Sequence, residues 1–145
     1  ATKNGAGSLV QMISLARRAP QLQHFLTEFN FAAACLLGLD VSFLISIASI
    51  NWKTAQLFYQ ACLAHDVKEV NKYVAQLEDI HNNMLQIVGR QGHIDGVYDK
   101  LFSKIADPQF PLRLLPPYGC ARDESFFEFV DYIRKNHSLW MNENQ

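Results

Sequence analysis

Charged residues are sparse in this chain of 145 residues, and neither sign of charge forms a cluster. Thirteen Lys and Arg residues against fourteen Asp and Glu residues leave a formal net charge of −1. No run or stripe of Lys and Arg is present, and such a stripe is what attracts the backbone of a nucleic acid. No nucleic-acid partner is therefore expected.

A long apolar run is missing as well. The longest apolar stretch, 31–50, is interrupted by Asp40 and by several small polar residues. This is typical of a buried helix and strand and not of a membrane span. The chain does not open on a basic segment followed by an apolar one, so no signal peptide is expected. The sequence predicts a cytoplasmic protein with no membrane partner.

Cysteine and histidine are few and lack the spacing of metal sites. The three cysteines, Cys35, Cys62 and Cys120, are far apart and form no CxxC pair. Cys35 and Cys62 fall on apolar helical faces, which predicts buried thiols in a reducing compartment and no disulfide. The five histidines show no HxxxH or HExxH spacing, and no nucleophile elbow is present. We therefore expect no metal, no cofactor and no Ser/His/Asp chemistry.

Apolar residues, in contrast, make up 49% of the chain, which is enough for a folded core. Short strand-like and helical segments alternate in the first third of the sequence. Ser8 is a suitable N-cap for a first helix, strands are predicted over 22–27 and 41–47, and a helix is predicted over 31–37. Alternating strands and helices with short connections predict βα units around a parallel sheet.

The remainder of the chain is predicted to be helical. Asn51 and Asp66 can each cap a helix, a third helix covers Ile94 to Ile105, and Ser125 starts the last one. Residues 110–118 are expected to be extended because their three prolines forbid a helix.

Such an arrangement leaves part of the sheet uncovered. Three parallel strands with helices on one side expose the other face of the sheet and both of its edges, which makes a poor monomer. Either another chain completes the sheet, or the sequence is a piece of a larger protein.

Residues 1–9, Ala-Thr-Lys-Asn-Gly-Ala-Gly-Ser-Leu, resemble the sixth strand and following turn of the N-acetylneuraminate lyase / dihydrodipicolinate synthase family. In that family a lysine near the end of the strand is followed by a small polar turn, a glycine and a helix. The resemblance covers nearly the whole chain. Further matches follow in the family's order at Arg18-Ala19-Pro20, 36–40, Asn51-Trp52, 64–67 and 111–117.

The resemblance implies an α/β fold class. The chain would be the C-terminal part, strands six to eight, of a (β/α)8 TIM barrel with a helical extension. Residues 1–65 would supply the C-terminal βα units, and residues 66–145 would form the extension. The family's N-terminal threonine pair and strand-five tyrosine have no counterpart here, so the N-terminal half of the barrel is an expected partner. The family assembles as dimers or tetramers, which implies a homo-oligomer.

The resemblance also implies that Lys3 is a Schiff-base lysine. A lysine amine attacks the keto carbon of pyruvate, or of another 2-keto acid, only when it is neutral, and about one free lysine in a thousand is neutral at pH 7. Burial in the mouth of a barrel increases that fraction. The protonated imine is then an electron sink for aldol cleavage or condensation. Without the flanking matches, Lys3 would be interpreted as an ordinary exposed lysine near a chain terminus.

Three further residues are candidates for substrate binding. Gly5 lies in a turn whose backbone N–H groups can cradle a carboxylate, although a helix-entry turn that needs glycine is the simpler interpretation. Glu28 and Ser46 follow the second and third strands. Their simpler interpretations are a loop carboxylate and a buried hydroxyl bonded to the backbone.

The eighth strand departs from the family pattern. It is glycine-rich in the family, whereas Val41 to Ser46 is bulky here, and Ile45 stands about where sialic-acid-cleaving members carry a serine. Side chains of this size would shrink the substrate pocket. The alternative function is therefore a non-catalytic family member, or an inactive subunit or fragment, with a filled pocket.

Overall fold

The computed structural model describes residues 1–4, 7–89 and 95–141. Within these ranges the chain forms three short strands and six α-helices, with 3-10 turns at Ile47–Ile50 and Ser138–Trp140. The strands are β1 (Thr2–Asn4), β2 (His24–Leu26) and β3 (Ser42–Phe43). The helices are α1 (Leu9–Arg18), α2 (Glu28–Leu36), α3 (Trp52–Leu63), α4 (Val67–Ile87), α5 (Asp95–Ala106) and α6 (Asp123–Asn136).

The chain divides into two compact units. The sheet unit comprises Ala1–Ser46 and Ala55–Ala75, and the helical unit comprises Ile47–Thr54 and Gln76–Gln145. The predicted boundary between the barrel units and the extension, after residue 65, falls in the tight turn between α3 and α4. His65 in that turn has a φ of 53°. The boundary itself stays a prediction.

The three strands form one parallel sheet in the order β1-β2-β3. Lys3 of β1 pairs with Phe25 of β2, and Phe25 pairs in turn with Ser42 of β3. Each strand is joined to the next through a helix, as parallel pairing requires. The predicted βα units around a parallel sheet are therefore present.

Strand β3 is shorter than the strand predicted over 41–47. The N–H of Leu44 still donates to the carbonyl of Leu26, at 2.8 Å. The next N–H that points the same way, that of Ser46, donates instead to the Glu28 carboxylate at 2.6 Å. The side chain of Glu28 thus takes the place of a backbone carbonyl of the neighbouring strand as the hydrogen-bond acceptor, and the regular strand pairing ends.

Helix α1 begins with the predicted cap. The Ser8 hydroxyl accepts a hydrogen bond from the backbone N–H of Gln11, and the Gln11 side chain accepts one from the N–H of Ser8. These reciprocal bonds satisfy two of the N–H groups that a helix leaves unpaired at its start. The prediction that Ser8 is the N-cap is confirmed.

Helices α2 and α3 cover one face of the sheet with aromatic side chains. Phe31 of α2 stacks on Phe43 of β3, with ring centroids 4.8 Å apart. Phe58 of α3 meets the same ring edge-on at 5.6 Å, while Tyr59 stacks on Phe31 at 5.7 Å. Leu26 of β2 is buried in the same layer. Burial of apolar surface of this kind is the main favourable contribution to folding.

Helix α4 has 21 residues and alternates buried and exposed side chains with helical spacing. Its buried positions are Val70, Tyr73, Leu77, Ile80 and Met84. Charged residues occupy the remaining face, as in an amphipathic helix. In the ranges that the structure describes, no helix is both long enough and apolar enough to cross a membrane.

The helical unit is built from the second half of α4 together with α5 and α6. Its fully buried side chains include Leu77, Ile80, Leu101, Phe129, Ile133 and Trp140. The indole N–H of Trp140 donates to the Gln76 side chain at 3.0 Å, which satisfies the one polar atom of that side chain.

Two further predicted helix starts are confirmed and one is wrong. The side chain of Asn51 accepts from the N–H of Thr54, and that of Asp66 accepts from the N–H of Glu69, both at 3.1 Å. The last helix begins at Asp123 and not at Ser125. Its first turn carries two carboxylates, which the positive end of the helix dipole stabilises.

All three cysteine thiols are free. Cys35 and Cys62 are buried, and Cys120 is exposed. Burial raises the pKa of both buried thiols. That of Cys62 is raised to about 12, mainly by burial and further by the neighbouring Cys35. Neither buried thiol is therefore a nucleophile at neutral pH.

Candidate active site

The candidate site residues share one edge of the sheet. Lys3 is near the carboxyl end of β1, Glu28 is the first residue of α2 directly after β2, and Ser46 follows β3. The strands are parallel, so their carboxyl ends lie at the same edge. In (β/α)8 barrels that edge carries the functional residues.

Lys3 is exposed and lies on the sheet face opposite the aromatic layer. Side chains alternate between the two faces of a strand. Leu26 and Phe43 point toward the helices, so the residues that precede them, Phe25 and Ser42, point away. Lys3 is the register partner of Phe25 and points away as well. In a closed barrel the face without helices is the interior. No described residue forms a hydrogen bond or ion pair with the Lys3 ammonium.

A buried histidine fixes β1 beside Lys3. His24 is 3% exposed, and its Nε2 lies 3.0 Å from the carbonyl of Ala19. A carbonyl only accepts, so Nε2 carries the proton. Nδ1 lies within hydrogen-bond distance of the Thr2 hydroxyl, at 2.8 Å. The pair holds β1 in register with β2, one residue before Lys3.

Sequence reasoning missed this pair. The sequence offered one signal. Side chains alternate along a strand, so Thr2 and Lys3 must point to opposite faces of β1. Which residue of β2 faces Thr2 depends on the strand register, and that is set by tertiary pairing.

Glu28 is a buried carboxylate that connects two strand ends. It is 2% exposed, and its Oε1 accepts from the backbone N–H of Ser46 at 2.6 Å. A hydrogen bond from a backbone N–H to a charged oxygen is short and strong. The structure thus brings Glu28 and Ser46 together through the backbone of Ser46.

The turn before α1 is tied to the same edge. The Asn30 amide donates to the carbonyl of Gly7 at 3.3 Å, so the segment that follows β1 is joined to the first turn of α2. Gly5, the third candidate for substrate binding, lies outside the described residues.

These contacts make one side of a site. They place an exposed amine on the open face, with a buried carboxylate and a half-buried serine in the adjoining connections. Within the described ranges, no three His, Cys, Asp or Glu side chains are grouped so as to hold a metal ion.

No protein-family model matches the chain, and no curated protein matches it. A solved structure does match: the 2-keto-3-deoxygluconate (KDG) aldolase of Sulfolobus sulfataricus, in complex with D-KDPG. The two structures agree with a TM-score of 0.70 over 94% of this chain and 45% of the aldolase chain, at 12% sequence identity. The chain has the fold of part of a TIM barrel.

The likeness supports the predicted fold class. A helix-rich α/β chain with a small parallel sheet matches somewhat less than half of a TIM-barrel aldolase, as a partial barrel should. At 12% identity the likeness concerns the fold, since one barrel fold supports many unrelated reactions.

Proposed function

We propose that this chain is the C-terminal part of a class I aldolase of the N-acetylneuraminate lyase / dihydrodipicolinate synthase family. It would cleave or condense a 2-keto acid such as pyruvate through a Schiff base on Lys3. The observation that carries the proposal is the position of Lys3. A lysine stands at the carboxyl edge of the sheet, on the face away from the helices, in a chain whose fold matches an aldolase.

The chemistry requires the amine to be neutral when substrate arrives. Its nitrogen lone pair attacks the keto carbon, the carbonyl oxygen leaves as water, and the protonated imine accepts the electron pair of the bond that breaks. Covering the open face would disfavour the ammonium form of Lys3, because desolvation penalises the charged state.

The proposed partner is the N-terminal half of the barrel, in the same gene product or in a second chain. The uncovered face around Lys3, Phe25 and Ser42 supports this partner, because sheets of three strands rarely stand alone with one face bare. The completed protein would assemble as a homo-oligomer, as the family does.

Substrate contacts are proposed at the same edge. Ser46 and the turn containing Gly5 would hold the substrate carboxylate, and Glu28 would line the site from the α2 side. A cytoplasmic location is proposed as well. It is supported by three free thiols, which persist in reducing compartments.

The test is covalent trapping. This chain, joined to or mixed with the proposed N-terminal half, is incubated with pyruvate and borohydride and then digested for peptide mass spectrometry. A reduced pyruvate adduct on Lys3 is expected. Lys3→Met should abolish the adduct, and Lys53→Met, which alters another exposed lysine, should leave it unchanged. An adduct on a different lysine, or none, would refute the assignment.

One observation favours the non-catalytic alternative. Phe25 is the register partner of Lys3 and shares its face of the sheet, where a bulky ring takes up space near the amine. Measuring the melting temperature with and without pyruvate distinguishes the two functions, because only a ligand that binds the folded state raises the melting temperature. An aldolase should melt at a higher temperature with pyruvate than without it. An inactive subunit should melt at the same temperature in both conditions.

A further inference from the structure

A cavity of about 340 Å³ opens in the helical unit. It lies between α5 and α6 and is lined by residues of that unit alone. Its volume falls within the range of sites that hold small organic ligands. None of the residues around Lys3 contributes to it.

The walls of this cavity are mainly apolar. Phe126 and Val130 of α6 and Met141 beyond it line the inner part, and each is less than one-tenth exposed. Phe127 lines the cavity too and is 60% exposed. A hydrocarbon or aromatic group entering here would leave water for an apolar surface, which favours binding.

Lys104, one of two cations on the wall, gives the cavity its net charge. The Lys104 ammonium donates to the carbonyls of Pro108 and Phe110, at 3.0 and 3.1 Å, and lies 5.6 Å from the centre of the Phe126 ring. An ammonium has three N–H donors, so one donor remains for a ligand. Both partners are neutral carbonyls, and no described carboxylate forms an ion pair with Lys104.

The other charges at the cavity compensate each other. Arg134 pairs with Asp131 at 2.9 Å, one helical turn apart on α6. The net charge of the lining is therefore positive and comes from Lys104, whose position is fixed by the two carbonyls.

We propose that this cavity binds a small carboxylate with an apolar body. The carboxylate accepts the remaining donor of Lys104, and the apolar body packs against Phe126, Val130 and Met141. This site is separate from Lys3 and does not depend on the proposed aldolase activity.

The probe is octanoate, used below the concentration at which it self-associates. Isothermal titration calorimetry on the full chain compares it with 1-octanol, which has the same body without the charge, and with acetate, which has the charge without the body. Octanoate should bind about tenfold or more tightly than 1-octanol, because a hydrogen bond to a charged group contributes that much. It should also bind about tenfold or more tightly than acetate, because its apolar body leaves water. Changes in the NMR chemical shifts of the Val130 and Met141 methyl groups during the titration locate the site.

A matched pair of variants tests the role of Lys104. Lys104→Met keeps the apolar stem of the side chain. It should weaken the binding of octanoate by about tenfold or more while leaving the affinity for octanol unchanged. Lys100→Met is the control, since Lys100 also lies over an aromatic ring, at 5.0 Å from Phe110, and donates to the carbonyl of Pro111 at 3.4 Å. It does not line the cavity, so octanoate affinity should not change.

Three results would each overturn the proposal. The first is equal affinity for octanoate and octanol. The second is an equal effect of the two lysine variants on octanoate affinity, and the third is chemical-shift changes at residues away from Val130 and Met141. Circular dichroism checks that each variant is folded. If Lys104→Met unfolds, the comparison of probes and the shift map on the unaltered chain decide the question.

Discussion

Glu28 shows how one side chain organises the candidate site. A carboxylate that is 2% exposed is costly to bury unless hydrogen bonds compensate it. Its bond from the N–H of Ser46 supplies such compensation and sets the path of the chain after β3. Glu28 therefore determines where the connection that carries Ser46 lies.

Glu28→Ala should lower the free energy of unfolding by about 1.5–3 kcal/mol, because a charge-assisted bond is lost and a backbone donor loses its acceptor. Glu28→Gln keeps an acceptor and should cost less. Urea unfolding followed by circular dichroism measures both. Glu128→Ala, at an exposed position of α6, should change stability by less than about 0.5 kcal/mol. Equal losses for the two alanine variants would contradict the role given to Glu28.

A second carboxylate, Asp79 of α4, joins three elements of the helical unit. Its Oδ2 accepts from the Tyr132 hydroxyl and pairs with Nε2 of His137, both at 2.6 Å. The bond from Tyr132, followed by that of His137, lowers the pKa of Asp79. The same bond to Asp79 raises the pKa of Tyr132.

These shifts predict how stability varies with pH. The contribution of Asp79 is present above its unfolded pKa, about 3.9, and is lost as pH falls through the lower folded value. The contribution of Tyr132 is present below its unfolded pKa, about 10, and is lost as pH rises through the higher folded value. The stabilising effect of the cluster should thus be greatest near neutral pH.

The melting temperature of Asp79→Asn should therefore fall furthest below that of the parent chain near neutral pH. The difference should shrink at both pH extremes. Asp131→Asn is the control, because its exposed pair with Arg134 is worth little at any pH. A difference between Asp79→Asn and the parent that stays constant with pH would argue against the cluster.

Among the elements, the start of α3 has a role that its cap alone does not reveal. Asn51 caps the helix through its Oδ1, while its Nδ2 donates to the carbonyls of Met141 and Leu139 at 3.0 and 3.4 Å. The Thr54 hydroxyl also donates to Leu139, at 2.7 Å. The start of α3 thereby holds the segment around the 3-10 turn at Ser138–Trp140.

Asn51→Ala should lower the free energy of unfolding by about 2–4 kcal/mol, since it removes a cap and leaves buried carbonyls with fewer donors. Asn136→Ala is a matched control, because among the residues that the structure describes that exposed amide bonds only within its own helix, to the carbonyl of Tyr132. Chemical unfolding should show a much smaller loss for the control. Similar losses would contradict both roles given to Asn51, the cap and the bonds to Leu139 and Met141.

Local signals predicted most of the elements but not their ends. The caps at Ser8, Asn51 and Asp66 were predictable because each involves residues three apart in sequence. The end of β3 was not, because it depends on Glu28, which is far from Ser46 along the chain. The start of the last helix was misplaced because its first turn uses carboxylates and no side-chain cap bond.

For the whole molecule, the proposed aldolase depends on covering the open face of the sheet. Lys3 is exposed in this chain, and the remaining strands of a barrel would surround it. Acetylation of Lys3 with limiting reagent, read by peptide mass spectrometry, should be much slower once the proposed N-terminal half of the barrel is added than in this chain alone. Lys53, exposed at the start of α3, should react at similar rates in both. Equal rates for Lys3 would place it outside the barrel interior.

The sequence by itself determined the caps, the βα alternation and the free thiols, because helix and strand periods and end residues act over a few positions. Through its resemblance to a family it also singled out Lys3. The tertiary structure alone decided the face on which Lys3 lies, the Thr2–His24 and Glu28–Ser46 contacts, and the cavity beside Lys104. All of these depend on strand register and helix packing, which join residues distant in sequence and leave no local pattern.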